Sequence, residues 1–189
     1  MRVSQAEKEK SRERIIAGAA RLLRERGMDG ASVGDVMSDA GLTHGGFYRH
    51  FETKDAMVAA ALDQAFDQFI STLSGDGAAP DPKAAIGDFI KTYLSEGHVA
   101  HPGQGCPIPT LAADVGRSSP QVQARFSAGV GRMVSAIAQA MPGDESARRS
   151  AAWRQLAMMA GAVMMARATD EPTAREILTA CAGSEPSAR

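Results

Sequence analysis

Aromatic and cysteine residues are scarce in this sequence, and long apolar runs are missing. Phe, Trp and Tyr make up 5% of the 189 residues, whereas apolar residues together make up 44%. A core so poor in aromatics favours helices over sheets. The two cysteines, Cys106 and Cys181, show no disulfide or zinc spacing. Because no apolar stretch has the length of a signal peptide or a membrane helix, we expect an all-α protein of the reducing cytoplasm that has no membrane partner.

Enzyme motifs are also missing. The sequence has no phosphate-binding glycine-rich loop, no HExxH pair and no paired zinc ligands. Its histidines lie at positions 44, 50, 98 and 101, and only His98 and His101 share a helical spacing. We therefore predict that the chain is not an enzyme and that it holds neither a metal ion nor a cofactor.

Basic residues are concentrated toward the N-terminus. Residues 1–54 hold ten Lys/Arg against eight Asp/Glu, whereas residues 55–189 hold eleven against fourteen. The first part is thus mildly basic and the rest mildly acidic, within a chain of formal net charge −1. Contact with nucleic acid is therefore compatible with the first part only, and it has to be local.

Helical signals follow one another closely in this N-terminal part. Apolar residues at 15, 16, 19, 22 and 23 predict an amphipathic helix over 11–26, which Gly27 ends. Ser32 with Asp35 resembles a capping box that starts a short second helix. Thr43 begins another short helix after a glycine turn, and a fourth helix follows. This order predicts a three-helix helix-turn-helix unit.

The stretch GLTHGGFYRHF, which begins at residue 41, carries the strongest functional signal. On a helical wheel Phe47 and Phe51 share the buried face, so the opposite face presents Gly45 and Arg49. Glycine costs a helix about 1 kcal/mol relative to alanine, and a surface that must be approached closely explains this cost. Such a face can lie against DNA phosphates and base edges. The structural alternative is a half-buried Tyr48 and glycines at which helices cross.

Residues 14–62 also resemble a known family as a whole. The matching features are the helix that ends at Gly27, Ser32-Val33, Ala40-Gly41-Leu42-Thr43, Phe47-Tyr48-Arg49-His50-Phe51 and Lys54. Together they resemble the N-terminal DNA-binding domain of TetR-type transcriptional regulators. The resemblance implies an all-α fold of about nine helices, a homodimer, and a C-terminal domain that binds a small molecule.

The resemblance also implies DNA contacts for particular residues. Thr43, Tyr48, His50 and Lys54 match positions that touch the DNA backbone in the family, and His44 matches a variable position that often helps to choose bases. With the glycine-lined face included, the predicted DNA-binding residues are Ser32, Thr43, His44, Gly45, Gly46, Tyr48, Arg49, His50 and Lys54.

The rest of the chain predicts further helices over 83–96, 120–141, 144–169 and 172–181, and a short one from Leu111. Two recognition helices must lie about 34 Å apart to contact a palindrome, and a symmetric dimer supplies that spacing. We expect the homodimer to form through the helix that begins at Asp144 and ends near Thr169, together with the helix from Pro172 to Cys181. Close packing of their small residues within one chain is the alternative.

The middle helices are expected to enclose a small-molecule effector. The candidate ligand-binding residues are Phe89, Tyr93, Cys106, Phe126, Met133, Trp153 and Met158, with His98 beside them. They offer mostly apolar surface, so the predicted effector is an apolar or aromatic molecule. Ordinary core packing is the alternative for each of these residues when it is taken singly.

Cys106 leaves two alternatives open. It lies in a Gly/Pro-rich segment near His98 and His101, and a cationic imidazole would increase its thiolate fraction. A thiol sensor of oxidants or electrophiles is one alternative, and a buried small hydrophobe is the other.

The sequence thus predicts a helix-turn-helix DNA-binding domain over 9–69 and a ligand-binding and dimerisation domain over 70–189. The predicted function is that of a ligand-responsive repressor, which an effector releases from double-stranded operator DNA. A helical protein that binds a ligand but no DNA is the alternative from another class.

Overall fold

The computed structural model describes residues 4–74 and 82–183, and all regular elements of this part are helices. The α-helices are α1 (Gln5–Gly30), α2 (Val33–Asp39), α3 (Lys54–Ser74), α4 (Pro82–Tyr93), α5 (Glu96–Ala100), α6 (Ile108–Val115), α7 (Pro120–Gln139), α8 (Glu145–Ala166) and α9 (Glu171–Ala182). Two 3₁₀ helices cover His44–Arg49 and Pro102–Gln104. The predicted all-α fold is confirmed. The break predicted over 74–82 lies, apart from its two ends, outside the described residues.

Helix α1 begins six residues earlier than the apolar periodicity predicted. The Ser4 hydroxyl accepts a hydrogen bond from the Glu7 amide, and the Glu7 carboxylate accepts one from the Ser4 amide, at 3.1 and 2.9 Å. This capping box fixes a first turn of polar residues, which hydrophobic periodicity cannot detect. At the other end Gly27 adopts φ 75, a left-handed conformation that interrupts the helix where the sequence predicted.

A capping box and a glycine turn set the bounds of the helices in the helix-turn-helix. Both hydrogen bonds of the Ser32–Asp35 capping box are present at the start of α2, as predicted. Gly41, at φ 68, makes the turn after α2. The next helix is a six-residue 3₁₀ helix and not the predicted α-helix over 43–51, and the Thr43 side chain makes no capping hydrogen bond. Its two adjacent glycines disfavour a longer α-helix, because each loses more backbone entropy than another residue.

The helix predicted over 83–96 is divided in two. Helix α4 ends at Tyr93, and the Ser95 hydroxyl accepts a hydrogen bond from the His98 amide at 3.1 Å and starts α5. The Pro/Gly-rich connection predicted at 101–109 contains the short 3₁₀ helix and the first residues of α6. This arrangement folds residues 98–106 back against α1.

Two apolar clusters form the core. The first joins α1, α2, the 3₁₀ helix and the N-terminal part of α3 to Leu111 and Val115 of α6 and Val122 of α7. The second joins Phe69 of α3 to α4, Cys106, the C-terminal part of α7, α8 and α9. Helix α3 therefore runs continuously from one core into the other. Within the described residues, no helix is both long and apolar enough to cross a membrane.

Candidate functional site

The 3₁₀ helix His44–Arg49 presents a polar face above an aromatic base. Phe47 and Phe51 are 1% and 5% exposed, as the helical wheel predicted, and their rings stack with centroids 5.8 Å apart. Tyr48 is 72% exposed, and its ring touches Phe47 edge to face. A tyrosine so exposed gains little from packing within its own chain, so its hydroxyl and much of its ring are available to another molecule.

The glycines of this face are not required by packing within the chain. A Cβ atom added to Gly45 would meet no atom within 4 Å, and one added to Gly46 would make ordinary contacts with Met37 and Thr43. Both have φ values that other residues adopt, since the positive φ angles of the described residues belong to other glycines. The fold therefore tolerates alanine at both positions, and packing within the chain does not explain the two glycines.

The remaining predicted DNA-binding residues differ in whether their side chains already make hydrogen bonds within the chain. Thr43, His44 and Arg49 are exposed. The Ser32 hydroxyl is engaged in the cap of α2. The Lys54 ammonium donates a hydrogen bond to the Met28 carbonyl at 2.8 Å, which ties the start of α3 to the end of α1. Ser32 and Lys54 thus have structural roles that the sequence pattern did not show, and their DNA contacts stay predictions.

The exposed face of the 3₁₀ helix that presents Gly45, Tyr48 and Arg49 is the recognition face. A cleft of about 420 Å³ lies beside it. Thr43, Gly46, Arg49 and His50 line it together with Lys8, which the first turns of α1 bring to this surface. Burial, followed by the charges of Lys8, Arg12 and Arg49, lowers the pKa of His50. Its buried Nδ1 has no hydrogen-bond partner among the described residues. A cleft with two cations and a pairless imidazole is suited to a phosphate oxygen.

The second core contains an aromatic cluster in which several predicted effector residues meet. Its rings are those of Phe69, Phe89, Tyr93 and His98, with centroids 4.7 to 6.0 Å apart. Phe89, Tyr93, Cys106 and Met133 belong to this core, and Met158 packs against it. The structure thus brings five of the seven predicted residues to one region.

Phe126 and Trp153 lie elsewhere. Phe126 packs against the first core, with its ring 5.5 Å from that of Phe66. Trp153 is 44% exposed on α8. Phe126 lies about two turns before Met133 on the same face of α7, and this position along the helix brings it to the first core. Trp153 lies on a different face of α8 from Leu156 and Met159, which enter the second core. The sequence pattern gave no sign of Gln155, which is 6% exposed and whose Nε2 has no partner among the described residues.

Tyr93 is the principal buried polar group of the aromatic cluster. It is 1% exposed, its hydroxyl faces the Cys106 thiol, and it makes no well-directed hydrogen bond to any described residue. Burial raises the pKa of Tyr93 well above its ordinary value, so the hydroxyl stays protonated and can donate. A buried donor without a partner costs free energy, which a ligand oxygen would offset.

Of the two alternatives for Cys106, its surroundings favour the buried small hydrophobe. Burial raises the pKa of the Cys106 thiol to about 11, so little thiolate forms near neutral pH. Burial also lowers the pKa of His98. The Cys106 amide donates to His98 Nε2 at 2.9 Å, so this nitrogen is unprotonated and the ring is neutral. His98 therefore does not supply the cationic imidazole that the thiol-sensor alternative requires.

An apolar strip covers the outer face of α8. Trp153, Met164 and Met165 are 44%, 54% and 47% exposed. Gly161 lies on the same helix, and a Cβ atom added to it would meet no atom within 4 Å. Ile177 and Cys181 of α9 are half-buried. Large apolar side chains in water are unfavourable, so this strip has the properties of a surface that another molecule covers.

Comparison with known proteins agrees with this geometry. Residues 15–61 match the model of the family described as bacterial regulatory proteins, tetR family. An uncharacterized HTH-type transcriptional regulator, YvdT of Bacillus subtilis, is 35% identical over 68 residues, which are 34% of this chain and 35% of YvdT. The HTH-type transcriptional repressor NemR of Escherichia coli K12 is 25% identical over 137 residues, 69% of this chain and 67% of NemR. The chain thus spans between about a third and two thirds of these relatives.

Similarity to solved structures extends over nearly the whole chain. A TetR transcriptional regulator from Chloroflexus aurantiacus superposes with a TM-score of 0.76 at 26% identity, covering 94% of this chain and 95% of that one. The reduced form of Escherichia coli NemR superposes with a TM-score of 0.74 at 20% identity, covering 91% and 93%. The resemblance seen in the sequence is therefore confirmed, and the relatives named above are regulators of transcription.

Proposed function

We propose, from the premise that residues 15–61 form the DNA-binding helices of the tetR family, that this chain is a ligand-responsive transcriptional repressor. It binds palindromic operator DNA as a homodimer and releases it when a small molecule binds. The division into a DNA-binding domain over 9–69 and a dimerisation and effector domain over 70–189 belongs to the same proposal.

The observation that carries the proposal is the recognition face of the 3₁₀ helix. Gly45 has open space where a Cβ atom would lie, and Tyr48 beside it is 72% exposed. Neither feature improves packing within the chain. A face with open space at a glycine and an exposed tyrosine beside it is suited to the close approach of a DNA groove. Its predicted contacts are Ser32, Thr43, His44, Gly45, Gly46, Tyr48, Arg49, His50 and Lys54.

A second copy of the chain is the proposed cover of the α8 strip. The helix would cross its symmetry mate at Gly161, where the open space accepts a neighbouring backbone, and Trp153 and Met164 would be buried on either side. Helix α9, through Ile177 and Cys181, would complete a four-helix interface. Size-exclusion chromatography with light scattering tests this arrangement: Met164→Glu is expected to give a monomer, and Thr179→Glu, at an exposed site on α9, a dimer.

The proposed effector is aromatic and carries at least one hydrogen-bond acceptor. The aromatic cluster supplies flat apolar surface, and the Tyr93 hydroxyl supplies a donor without a partner. Phe89, Cys106, Met133 and Met158 border the same core. The buried Nε2 of Gln155 on α8 is another unpaired donor of this half of the molecule.

Fluorescence anisotropy tests the DNA-binding proposal. The probes are a duplex from immediately upstream of the protein's own gene and a scrambled duplex, each at two salt concentrations. We expect preference for the upstream duplex, a steep loss of affinity with salt, and weaker binding by Tyr48→Ala, with Tyr48→Phe separating the hydroxyl from the ring. Equal weak binding of both duplexes would favour the helical protein that binds a ligand but no DNA.

The surroundings of Cys106 weigh against the thiol-sensor alternative. Its thiol is buried, and its pKa of about 11 disfavours the reactive thiolate. We expect Cys106→Ser to respond to an electrophile such as N-ethylmaleimide as the parent does. Loss of electrophile-induced DNA release in Cys106→Ser alone would establish the sensor instead.

A further inference from the structure

Arg24 on α1 is a buried guanidinium, and no carboxylate of the described residues forms an ion pair with it. It is 3% exposed, and burial lowers its pKa. The two carboxylates on this side of the helices, Glu25 and Asp39, are both paired with Arg21. A buried cation held by neutral groups alone is costly, so its hydrogen bonds carry unusual weight for the arrangement around it.

The hydrogen bonds of Arg24 connect three separate parts of the chain. Its Nε donates to the Ala20 carbonyl at 2.8 Å within α1. Its Nη1 donates to the Gly105 carbonyl at 3.0 Å, across 81 residues of sequence, and its Nη2 donates to the Gln68 side chain on α3 at 3.0 Å. One side chain thus joins the first helix of the DNA-binding part to the segment 98–106 and to the helix shared by both cores.

The segment 98–106 connects Arg24 to the aromatic cluster. The Gly105 carbonyl precedes Cys106, whose amide donates to His98 Nε2 at 2.9 Å. The other ring nitrogen, Nδ1, therefore carries the proton and donates to the Tyr93 carbonyl at 2.7 Å. The His98 ring also stacks on Phe69. A continuous series of hydrogen bonds thus runs from the proposed effector region through His98 and Gly105 to Arg24.

Close packing prevents this segment from moving without its neighbours. A Cβ atom on Gly105 would overlap the His98 imidazole, and one on Gly103 would overlap Glu25 of α1. On the opposite side, the Arg167 guanidinium donates to the His98 and Val99 carbonyls at 2.8 and 3.2 Å. A displacement of the His98 ring therefore acts on the Cys106 amide and on Gly105, because the imidazole is hydrogen-bonded to the amide and packed against the glycine.

From these contacts we infer that Arg24 is the positioning residue that couples the effector region to the DNA-binding helices. The inference rests on the proposed function. A molecule that enters the aromatic cluster displaces His98, which frees the Cys106 amide and turns the Gly105 carbonyl away from Arg24. The guanidinium then loses one of its three acceptors in a buried site, and α1 moves with it, which changes the position of the recognition helix.

A double-mutant cycle tests this coupling without knowledge of the effector. His98→Phe keeps the ring and removes both of its hydrogen bonds. Arg24→Lys keeps the charge but cannot reach the three acceptors together. The measured quantity is the affinity for the upstream duplex of the parent, each single variant and the double variant. We expect His98→Phe to weaken binding about fivefold in the parent, within the range for coupled residues, and less than twofold in Arg24→Lys.

The controls separate coupling from loss of fold. Arg26→Lys changes an exposed arginine on the same helix, and His98→Phe should keep its full effect in that background. Gly105→Ala disturbs the segment by a different route and should give the same dependence on Arg24. If thermal unfolding shows that Arg24→Lys is not folded, Gln68→Leu replaces it, because it removes one acceptor and leaves the guanidinium in place.

The outcomes distinguish two kinds of failure. If the parent binds the upstream duplex and the effects of His98→Phe and Arg24→Lys simply multiply, Arg24 does not couple the two regions. If Arg24→Lys is folded and no longer binds DNA at all, Arg24 belongs to the DNA-binding machinery instead. If the parent shows no salt-dependent binding to any duplex, the proposed function fails and the inference with it.

Discussion

The chain contains two tyrosines, and they lie in opposite environments. Tyr48 of the recognition face is 72% exposed and rests edge-on against one phenylalanine. Tyr93 of the second core is 1% exposed and lies among Phe69, Phe89 and His98. The same side chain is therefore open to contact by another molecule in one region and contributes to the stability of the core in the other.

The glycines of the two regions differ in the same way. Gly45 has open space around it, whereas a Cβ atom on Gly105 would overlap His98. The residue type at Gly45 is therefore not set by packing within the chain, whereas the residue type at Gly105 is set by its neighbours. Under the proposed function, the recognition face is adapted to DNA, and the segment 98–106 is adapted to the rest of the chain.

The largest expected difference concerns stability. Tyr93→Ala should lower the free energy of unfolding by about 3–5 kcal/mol, as other large aromatic truncations in cores do, because it leaves a cavity. Tyr48→Ala should change it by less than about 0.5 kcal/mol, as exposed substitutions do. Urea titration followed by circular dichroism measures both. Tyr93→Phe is the matched control, and it should be neutral or slightly stabilising because it removes an unpaired hydroxyl. Similar losses for both alanine variants would contradict the comparison.

A smaller effect of opposite sign is expected at Gly45. Gly45→Ala should raise the free energy of unfolding by about 0.5–1 kcal/mol, because alanine loses less backbone entropy and has space for its methyl group. The same methyl group should weaken binding to the upstream duplex about tenfold, a difference of about 1.4 kcal/mol, by preventing close approach. Gly131→Ala on α7 is the control, since its Cβ would also meet no atom within 4 Å. It should stabilise the protein and leave DNA binding unchanged, and a similar result for Gly45→Ala would remove the argument for the recognition face.

The smallest expected effect depends on pH. The pKa values of His98 and His50 are lowered in the folded protein, so the unfolded chain binds protons first as the pH falls below about 6.5. The contribution of these two histidines to the free energy of unfolding is therefore fully present above that pH and declines below it. DNA affinity should change in the opposite direction, because a protonated His50 adds charge beside a phosphate. Unfolding and anisotropy measured between pH 5 and 8 test this pair of trends.

Single substitutions assign the two trends to their histidines. His98→Phe should reduce the decline in stability below about pH 6.5, and His50→Gln should remove the gain in DNA affinity. An affinity that falls with pH in the parent, or a gain that persists in His50→Gln, would show that His50 does not lie beside DNA.

Local chemistry made much of the N-terminal region predictable. The capping box of Ser32 and Asp35, the break at Gly27 and the burial of Phe47 and Phe51 all follow from short-range rules, and the structure confirms them. The same rules missed the early start of α1, because its first turn is polar. They also overestimated the length of the recognition helix, because helical spacing does not distinguish a 3₁₀ helix from an α-helix over so few residues.

The second core was less predictable, because it depends on contacts between distant residues. Composition indicated which aromatic residues were available, but it did not show that Trp153 faces outward and that Tyr93 lies beside His98. One of the three acceptors of Arg24, the Gly105 carbonyl, is 81 residues away, and no local pattern specifies it. In the sequence, Arg24 is a cation close to the apolar face of α1. Without knowledge of its hydrogen-bond partners, a buried arginine at such a position cannot be distinguished from an exposed one.

If the proposed dimer forms through the apolar strip on α8, operator occupancy depends on the concentration of the chain in the cell as well as on the effector. If a second copy covers Trp153 and Met164, the dimer population rises with the square of the free-chain concentration while that concentration is low. Operator occupancy then responds more steeply to synthesis and degradation than binding by a single chain would. A twofold change in the free-chain concentration then changes the dimer concentration about fourfold.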